Sequence, residues 1–264
     1  LGIHFFNPAP LMPLVEIVKG DKTPSDILEK TSNVITEWSK VAVCAKDAPG
    51  FIVNRVARPF YLESWRCFEN SIGGIDSIDY SMTEVAGFKM GPFTLTDLIG
   101  QDINVATTQS IFSRLNKPSR LMPNWIQEEL VHNGFLGKKS SRGAYAYSNS
   151  EKIPALFEQP NKATLPLAES KIVAQFSKKA GFKKDTPMHS LIASRVLACI
   201  INEAWWAKEE DIASEMEIDT AMKLGTGYPY GPFEWCKKIG PNIVKTLLAS
   251  MSESVSDDRY KSPS

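Results

Sequence analysis

One stretch of this chain is written twice. Adding 140 to Arg55, Glu63 and Asp79 lands on Arg195, Glu203 and Asp219. The same shift carries Gly87-Phe88-Lys89-Met90-Gly91-Pro92-Phe93 onto Gly227-Tyr228-Pro229-Tyr230-Gly231-Pro232-Phe233, and Ile99-Gly100 onto Ile239-Gly240. Asp47-Ala48-Pro49 is answered, two residues out of step, by Asp185-Thr186-Pro187. Self-similarity at a fixed offset marks repeated supersecondary units. An offset held from Arg55 to Gly100 predicts two copies of one domain.

The patterning within the copies is helical. Residues 51–70 are rich in apolar and aromatic side chains. Pro59 must kink that helix or confine its start, because it cannot donate to the Arg55 carbonyl. Further helices are predicted over 76–87, 92–99, 101–115 and 123–133. Gly134 to Tyr147 reads as a loop closing on a short extended segment. Residues 148–167 lack periodicity, carry Pro154, Pro160 and Pro166, and read as a linker; a helix is predicted at 168–181. The polar tail after Ser252 is predicted to be disordered. The copies diverge where Gly50-Phe51-Ile52-Val53-Asn54-Arg55 meets Met188-His189-Ser190-Leu191-Ile192-Ala193-Ser194-Arg195. Ser194 takes the place of Asn54, as though one copy kept a polar site residue and the other only its packing role.

Before the repeat the character is different. Residues 3–6 and 14–18 read as short buried strands, with Pro8, Pro10 and Pro13 punctuating the loop between them. Thr23-Pro24-Ser25-Asp26 marks a helix start. Ile27, Leu28, Val34, Ile35 and Trp38 then recur at helical spacing across 25–40, and Val41 to Cys44 is another strand. This is the closing β-β-α-β portion of an α/β domain whose larger part is expected to lie outside the chain. The predicted domains are therefore 1–46, 47–147, a linker with one helix at 148–184, and a diverged copy at 185–264. The copies are expected to pack face to face through the helices that begin near Phe51 and Leu191, burying Trp65, Trp205 or their neighbours.

Thirty basic and thirty acidic side chains cancel, so no global field draws the chain to nucleic acid or an anionic membrane. No apolar run approaches the roughly 20 residues of a membrane span. The four cysteines are far apart, show no metal spacing, and read as reduced thiols of a cytoplasmic compartment. No metal site is expected, and Lys261-Ser262-Pro263-Ser264 is not a peroxisomal address.

The chemistry begins at His4, on a short apolar run, with Glu16 twelve residues on between Val15 and Ile17. Two neighbouring strands would set a general base beside the acid that orients it. A histidine beside phenylalanines is by itself more often a core histidine. His4-Phe5-Phe6-Asn7-Pro8, Leu14-Val15-Glu16, Gly50-Phe51-Ile52-Val53-Asn54-Arg55 and Gly91-Pro92-Phe93, in that order, resemble the 3-hydroxyacyl-CoA dehydrogenase family over almost the whole chain. The duplication is similar to its longer bacterial and peroxisomal members. The resemblance implies a mainly α fold. In it, two tandem copies of a helical domain like the C-terminal domain of 6-phosphogluconate dehydrogenase follow a truncated Rossmann piece.

The resemblance also implies NAD-dependent oxidation of a (3S)-3-hydroxyacyl-CoA to the 3-oxoacyl-CoA. His4 would be the base, Glu16 its orienting carboxylate, and Asn54 the residue that hydrogen-bonds the substrate hydroxyl or thioester carbonyl. Asn7 and Lys138 join Asn54 as substrate-binding candidates. Lys138, Lys139 and Arg142 could meet coenzyme A phosphates, although a basic loop is usually just solvated. His132, near a helix end, and His189, in the diverged copy, read as structural. No strand–GxGxxG–helix pattern occurs in the chain, so the NAD-binding residues are expected before Leu1 and the chain alone is expected to be inactive. The implied partners are an acyl-CoA and, between the two copies, an internal pseudo-dimer, with a homodimer of whole chains as a further option. The rival readings are a non-catalytic helical assembly module and a dehydrogenase of another hydroxy acid.

Overall fold

The computed structural model describes residues 1–148, 151–156, 165–253 and 255–263. Strands β1 (Gly2–Phe5), β2 (Leu14–Lys19) and β3 (Val41–Lys46) form one sheet in that order, with helix α1 (Ser25–Glu37) between β2 and β3. β1 runs antiparallel to β2, and β2 parallel to β3, a Rossmann-like piece. Side chains alternate along a strand. Val15 and Ile17 therefore turn to α1 and bury with Ile35, whereas Leu14 joins the large helical core on the opposite face. Glu16 shares the face of Leu14, so the only acid on β2 is aimed at the helices and fully buried.

The rest is mainly helical: α2 (Val53–Val56), α3 (Arg58–Glu69), α4 (Ile75–Tyr80) with a π turn over Ser81–Val85, α5 (Pro92–Ile99), α6 (Gln101–Arg114) and α7 (Trp125–His132). A hairpin of β4 (Tyr145–Ser148) and β5 (Glu151–Pro154) leads to α8 (Leu165–Ala168) and α9 (Lys171–Ala180). Last come α10 (Pro187–Glu209), α11 (Glu215–Thr226), α12 (Pro232–Ile239) and α13 (Pro241–Ser252). The helix expected over 51–70 breaks at Ala57, between α2 and α3, where Pro59 supplies no N–H. Cys199 stands 140 residues after Pro59, and there α10 runs on for 23 residues without a break. Among the described residues no helix is long and apolar enough to cross a membrane.

Two expectations fail. The stretch 148–167 is not a plain linker, because β5 pairs antiparallel with β4, Tyr145 opposite Pro154. Four-residue strands are too short to show a period. Residues 157–164 of that stretch lie outside the described residues. Nor is the tail after Ser252 loose. Tyr260 is 2% exposed, its hydroxyl donates to Glu63 at 3.0 Å, and the Lys261 carbonyl accepts from Asn202 and Trp206 at 3.0 and 3.1 Å. One buried tyrosine anchors the segment, and its polar neighbours mask it in the sequence.

The 140-residue offset reappears as contacts. Asp79 accepts the N–H groups of Phe93 and Thr94 at 2.8 and 3.0 Å, and Asp219 accepts those of Phe233 and Glu234 at the same distances. A Cβ on Gly91 or Gly231 would fall 2.3 or 2.2 Å from the respective carboxyl carbon, so the Gly-Pro-Phe string is what admits the carboxylate to the helix start.

Between α2–α3 and α10 the contacts are reciprocal. Arg55 donates to Glu203 at 2.8 Å and, through both terminal nitrogens, to Glu210 at 2.7 and 2.9 Å. Arg195 donates to Glu63 at 2.9 and 2.7 Å. Arg120 closes on Glu203 at 2.7 Å, and Tyr260, 140 residues after it, closes on Glu63. Burial pushes the Glu63 carboxyl up, but Arg195 and Arg66 outweigh it and hold it below the usual carboxylate range. Trp65 is fully buried, 4.6 Å from Phe93 between ring centres, while Trp205 is half-buried.

Candidate active site

His4 and Glu16 are direct partners across the β1–β2 ladder, so both side chains leave the same face of the sheet. His4 Nδ1 lies 2.6 Å from Glu16 Oε2. The other carboxylate oxygen, Oε1, accepts the backbone N–H groups of Ile52 and Val53 at 3.1 and 2.9 Å. Three donors thus satisfy a carboxylate with no exposure to water, as a buried charge requires. The same carboxylate ties the sheet to the first helical unit.

The turn that delivers those N–H groups is itself unusual. Gly50 and Phe51 both have positive φ, 82° and 44°. A left-handed phenylalanine is disfavoured, and strain of this kind persists where its surroundings over-determine it. Here the Glu16 carboxylate caps the turn, and the Phe51 ring lies 5.8 Å from the His4 ring, with Phe6 at 4.7 Å.

This geometry sets the chemistry of the imidazole. With Nδ1 held on a carboxylate, the neutral ring carries its proton there and presents a lone pair at Nε2. Nε2 has no partner among the described residues, and the side chain is 32% exposed. Asn54, on α2 three residues past Phe51, is half-buried and its amide also has no partner among the described residues. An imidazole with one nitrogen anchored and the other open, between Phe6 and Phe51, can take a proton from a donor brought to Nε2.

The other candidates are placed differently. Asn7 is exposed, at the cis Asn7-Pro8 peptide three residues past His4. Lys138 is exposed on a single 3-10 turn against α5, with its Nζ 5.8 Å from the Tyr147 ring centre. Its neighbours are engaged within the first helical unit, Lys139 on Asp102 at 2.6 Å and Arg142 over Phe135 at 4.4 Å. His132 is exposed in the last turn of α7. His189 is held between Asp185, 2.6 Å from Nδ1, and Ser77, 3.1 Å from Nε2; its hydrogen bond holds the Asp185 carboxyl down at about 2. Ser194, in the place of Asn54, is fully buried. Sequence reasoning missed the Ile52 and Val53 N–H groups, because backbone donors have no residue-type signature.

A histidine held on a buried carboxylate, at the seam between a Rossmann-like sheet and a helical unit, is an arrangement that general-base chemistry can use. The model for the 3-hydroxyacyl-CoA dehydrogenase C-terminal domain matches residues 50–147 and 191–264, and the model for that family's NAD-binding domain matches residues 1–48. The 3-hydroxyadipyl-CoA dehydrogenase of Escherichia coli K12 is 34% identical over 98% of this chain and 67% of its own length. The mitochondrial hydroxyacyl-coenzyme A dehydrogenase of Sus scrofa is 37% identical over 55% of this chain and 46% of its own. A crystal structure of 3-hydroxybutyryl-CoA dehydrogenase from Escherichia coli K12 superposes with a TM-score of 0.84 at 32% identity, covering 100% of this chain and 68% of that one.

The chain belongs to the 3-hydroxyacyl-CoA dehydrogenase family of NAD-dependent oxidoreductases. It spans two thirds of the length of the bacterial relative and about half of the pig enzyme. The expectation that the NAD-binding portion is absent is corrected, since that domain's model matches residues 1–48. Residues 1–46 read as the closing piece of such a domain, and without a glycine-rich turn they offer no cofactor fingerprint.

Proposed function

We propose that this protein oxidises the C3 hydroxyl of a (3S)-3-hydroxyacyl-CoA to a ketone. NAD, when bound, supplies the hydride acceptor. The substrate hydroxyl donates to His4 Nε2. As the C3–H bond gives up its hydrogen with the electron pair, the O–H proton passes to Nε2 and the C3–O bond becomes a carbonyl. Glu16 keeps the imidazole in the competent tautomer and stabilises the imidazolium, as a carboxylate does for any histidine base. Asn54 donates its amide to the substrate hydroxyl or thioester carbonyl, and Asn7 and Lys138 stand as further substrate contacts. The observation that carries this reading is the 2.6 Å His4–Glu16 contact with Nε2 left open.

Relatives are named for 3-hydroxybutyryl-CoA and 3-hydroxyadipyl-CoA. Their shared part, the 3-hydroxyacyl thioester, is what we carry to this chain. The test is NADH formation from NAD and 3-hydroxyacyl-CoA substrates by the full-length protein. Turnover supports the reading, and none with the fold intact overturns it.

We further infer that 47–147 and 185–264 are two copies of one helical domain, and that the second fills the place of a partner subunit. The reciprocal pairs Arg55–Glu203 and Arg195–Glu63 support this, because they are the self-complementary contacts of a two-fold interface. Sedimentation of the full-length protein is expected to give a single-chain mass; dimerisation through α3 and α10 would overturn the inference. The four cysteines are all free, which supports a cytoplasmic-type compartment.

A further inference from the structure

Helix α11 holds, at both of its ends, the sheet that carries His4 and Glu16. Strand β3 ends that sheet, so the N–H groups along its outer side have no further strand to meet. Two of them are taken up from the stretch 185–264. The Lys46 N–H donates to the Ile212 carbonyl at 2.9 Å, and the Cys44 N–H donates to Glu217 Oε1 at 3.0 Å. The other oxygen of Glu217 accepts the Ser214 N–H and hydroxyl at 3.0 and 2.7 Å, in the capping box that opens α11. One carboxylate therefore joins the start of α11 to the edge of β3.

The far end of α11 closes on the site itself. A Cβ on Gly225, in its last turn, would fall 2.8 Å from Leu14 Cδ2 and 3.0 Å from Val53 Cγ2. Neither side chain has room to retreat, because Leu14 is fully buried and Val53 is 4% exposed in one shared core. Both bear on Glu16. Leu14 stands two residues before it, on the same face of β2. Val53 supplies one of the two N–H groups that Glu16 Oε1 accepts, at 2.9 Å. Glycine is a poor helix former, and the φ of Gly225 lies outside the left-handed region. What this residue brings to α11 is the absence of a side chain.

The 140-residue offset shows that neither residue is general to this kind of helix. Ser77 stands 140 residues before Glu217, and Val85 stands 140 before Gly225. Those two meet a different segment: Ser77 Oγ lies 3.1 Å from His189 Nε2, and the Val85 carbonyl accepts the Lys183 N–H at 3.0 Å. A carboxylate long enough to reach a strand edge, and a bare turn over Leu14 and Val53, occur only where α11 meets the sheet.

We propose that Glu217 and Gly225 are positioning residues for the His4–Glu16 pair: α11 clamps the edge of the sheet at its start and, in its last turn, seats Leu14 and Val53 so that Glu16 stays on His4 Nδ1. This rests on the dehydrogenase reading above. The test puts into α11 of the full-length protein the residues found 140 positions earlier. Gly225→Val is expected to lower kcat by about 10–100-fold, the cost of displacing reacting groups by up to an ångström, with KM for NAD and for the acyl-CoA within about twofold of the wild type. Glu217→Ser is expected to cost about tenfold in kcat. Glu217→Gln, which keeps an oxygen for the Cys44 N–H, should recover most of that loss. A smaller folded fraction lowers kcat by the same factor in any background, whereas a displaced pair does not. In a His4→Gln background, Gly225→Val and Glu217→Ser should each cost less than about threefold more, because groups that act as one unit are not additive.

Equal losses with and without His4, or a Gly225→Val enzyme with kcat within about threefold of the wild type, overturn the positioning role while leaving the dehydrogenase intact. If Gly225→Val does not fold, the Glu217 variants decide alone: no loss in Glu217→Ser, or a loss that Glu217→Gln does not recover, has the same meaning. No turnover by the wild type overturns the dehydrogenase reading, and this inference with it.

Discussion

Replacing His4 by Gln in the full-length protein is expected to lower kcat by about 10²–10⁴-fold, the usual contribution of a positioned general base. KM should move little, because the proton is taken in the transition state and not in the bound ground state. Glutamine keeps a polar group against Glu16 but offers no basic nitrogen to the hydroxyl. Stability should barely change, since His4 is a third exposed and makes a single hydrogen bond. Glu16→Gln behaves differently. It is expected to cost kcat on a similar scale, about 10²–10⁴-fold, by releasing the tautomer. It should also lower stability, because Ile52 and Val53 both donate to Glu16 Oε1. Steady-state kinetics and urea titration separate the two effects. A His4→Gln enzyme with kcat within threefold of the wild type would remove His4 from the base role.

Glu63→Ala is expected to destabilise the fold by about 3–5 kcal/mol, the cost of breaking a buried pair by removing one partner. Arg195 would lose its carboxylate while 5% exposed, and Arg66, equally buried, would lose its own. For a chain of this size that corresponds to a Tm lower by roughly 10 °C. Tyr260→Phe removes one donor to the same carboxylate and should cost about 1.5–3 kcal/mol, as for a hydrogen bond to a charged group.

The pH dependence of stability follows from the depressed Glu63 carboxyl. A group whose pKa is lowered on folding contributes fully above its unfolded value, near 4.3. It loses that contribution as pH falls through the lower folded value. Stability should therefore be insensitive to this group above about pH 5 and decline below about pH 4, and Glu63→Gln should remove that part of the decline. A wild type and a Glu63→Gln variant with parallel acid limbs would show that Glu63 is not held low.

Much of this was legible in the sequence because it rests on local spacing. The pairing of His4 with Glu16 follows from two apolar strands joined by a proline-punctuated loop, and the break near Pro59 follows from a missing N–H. The equivalence of Asp79 with Asp219 follows from the offset alone. The hairpin at 145–154 was hidden because its strands are too short for a period. The order at Tyr260 was hidden because one anchor sits among polar neighbours, although Arg120, 140 residues earlier, holds the corresponding position.

By itself, then, the sequence determined that a 140-residue offset relates two stretches of helical patterning, that a short sheet precedes them, and that a histidine and a glutamate share that sheet. These are matters of period and residue type along a line. Only the tertiary structure decided that Arg55 meets Glu203 and Glu210, and that Arg58 meets only neutral groups among the described residues. Burial and ion pairing are settled by which surfaces close on one another, and Arg55 and Arg58 look alike until α10 and α6 have packed against them.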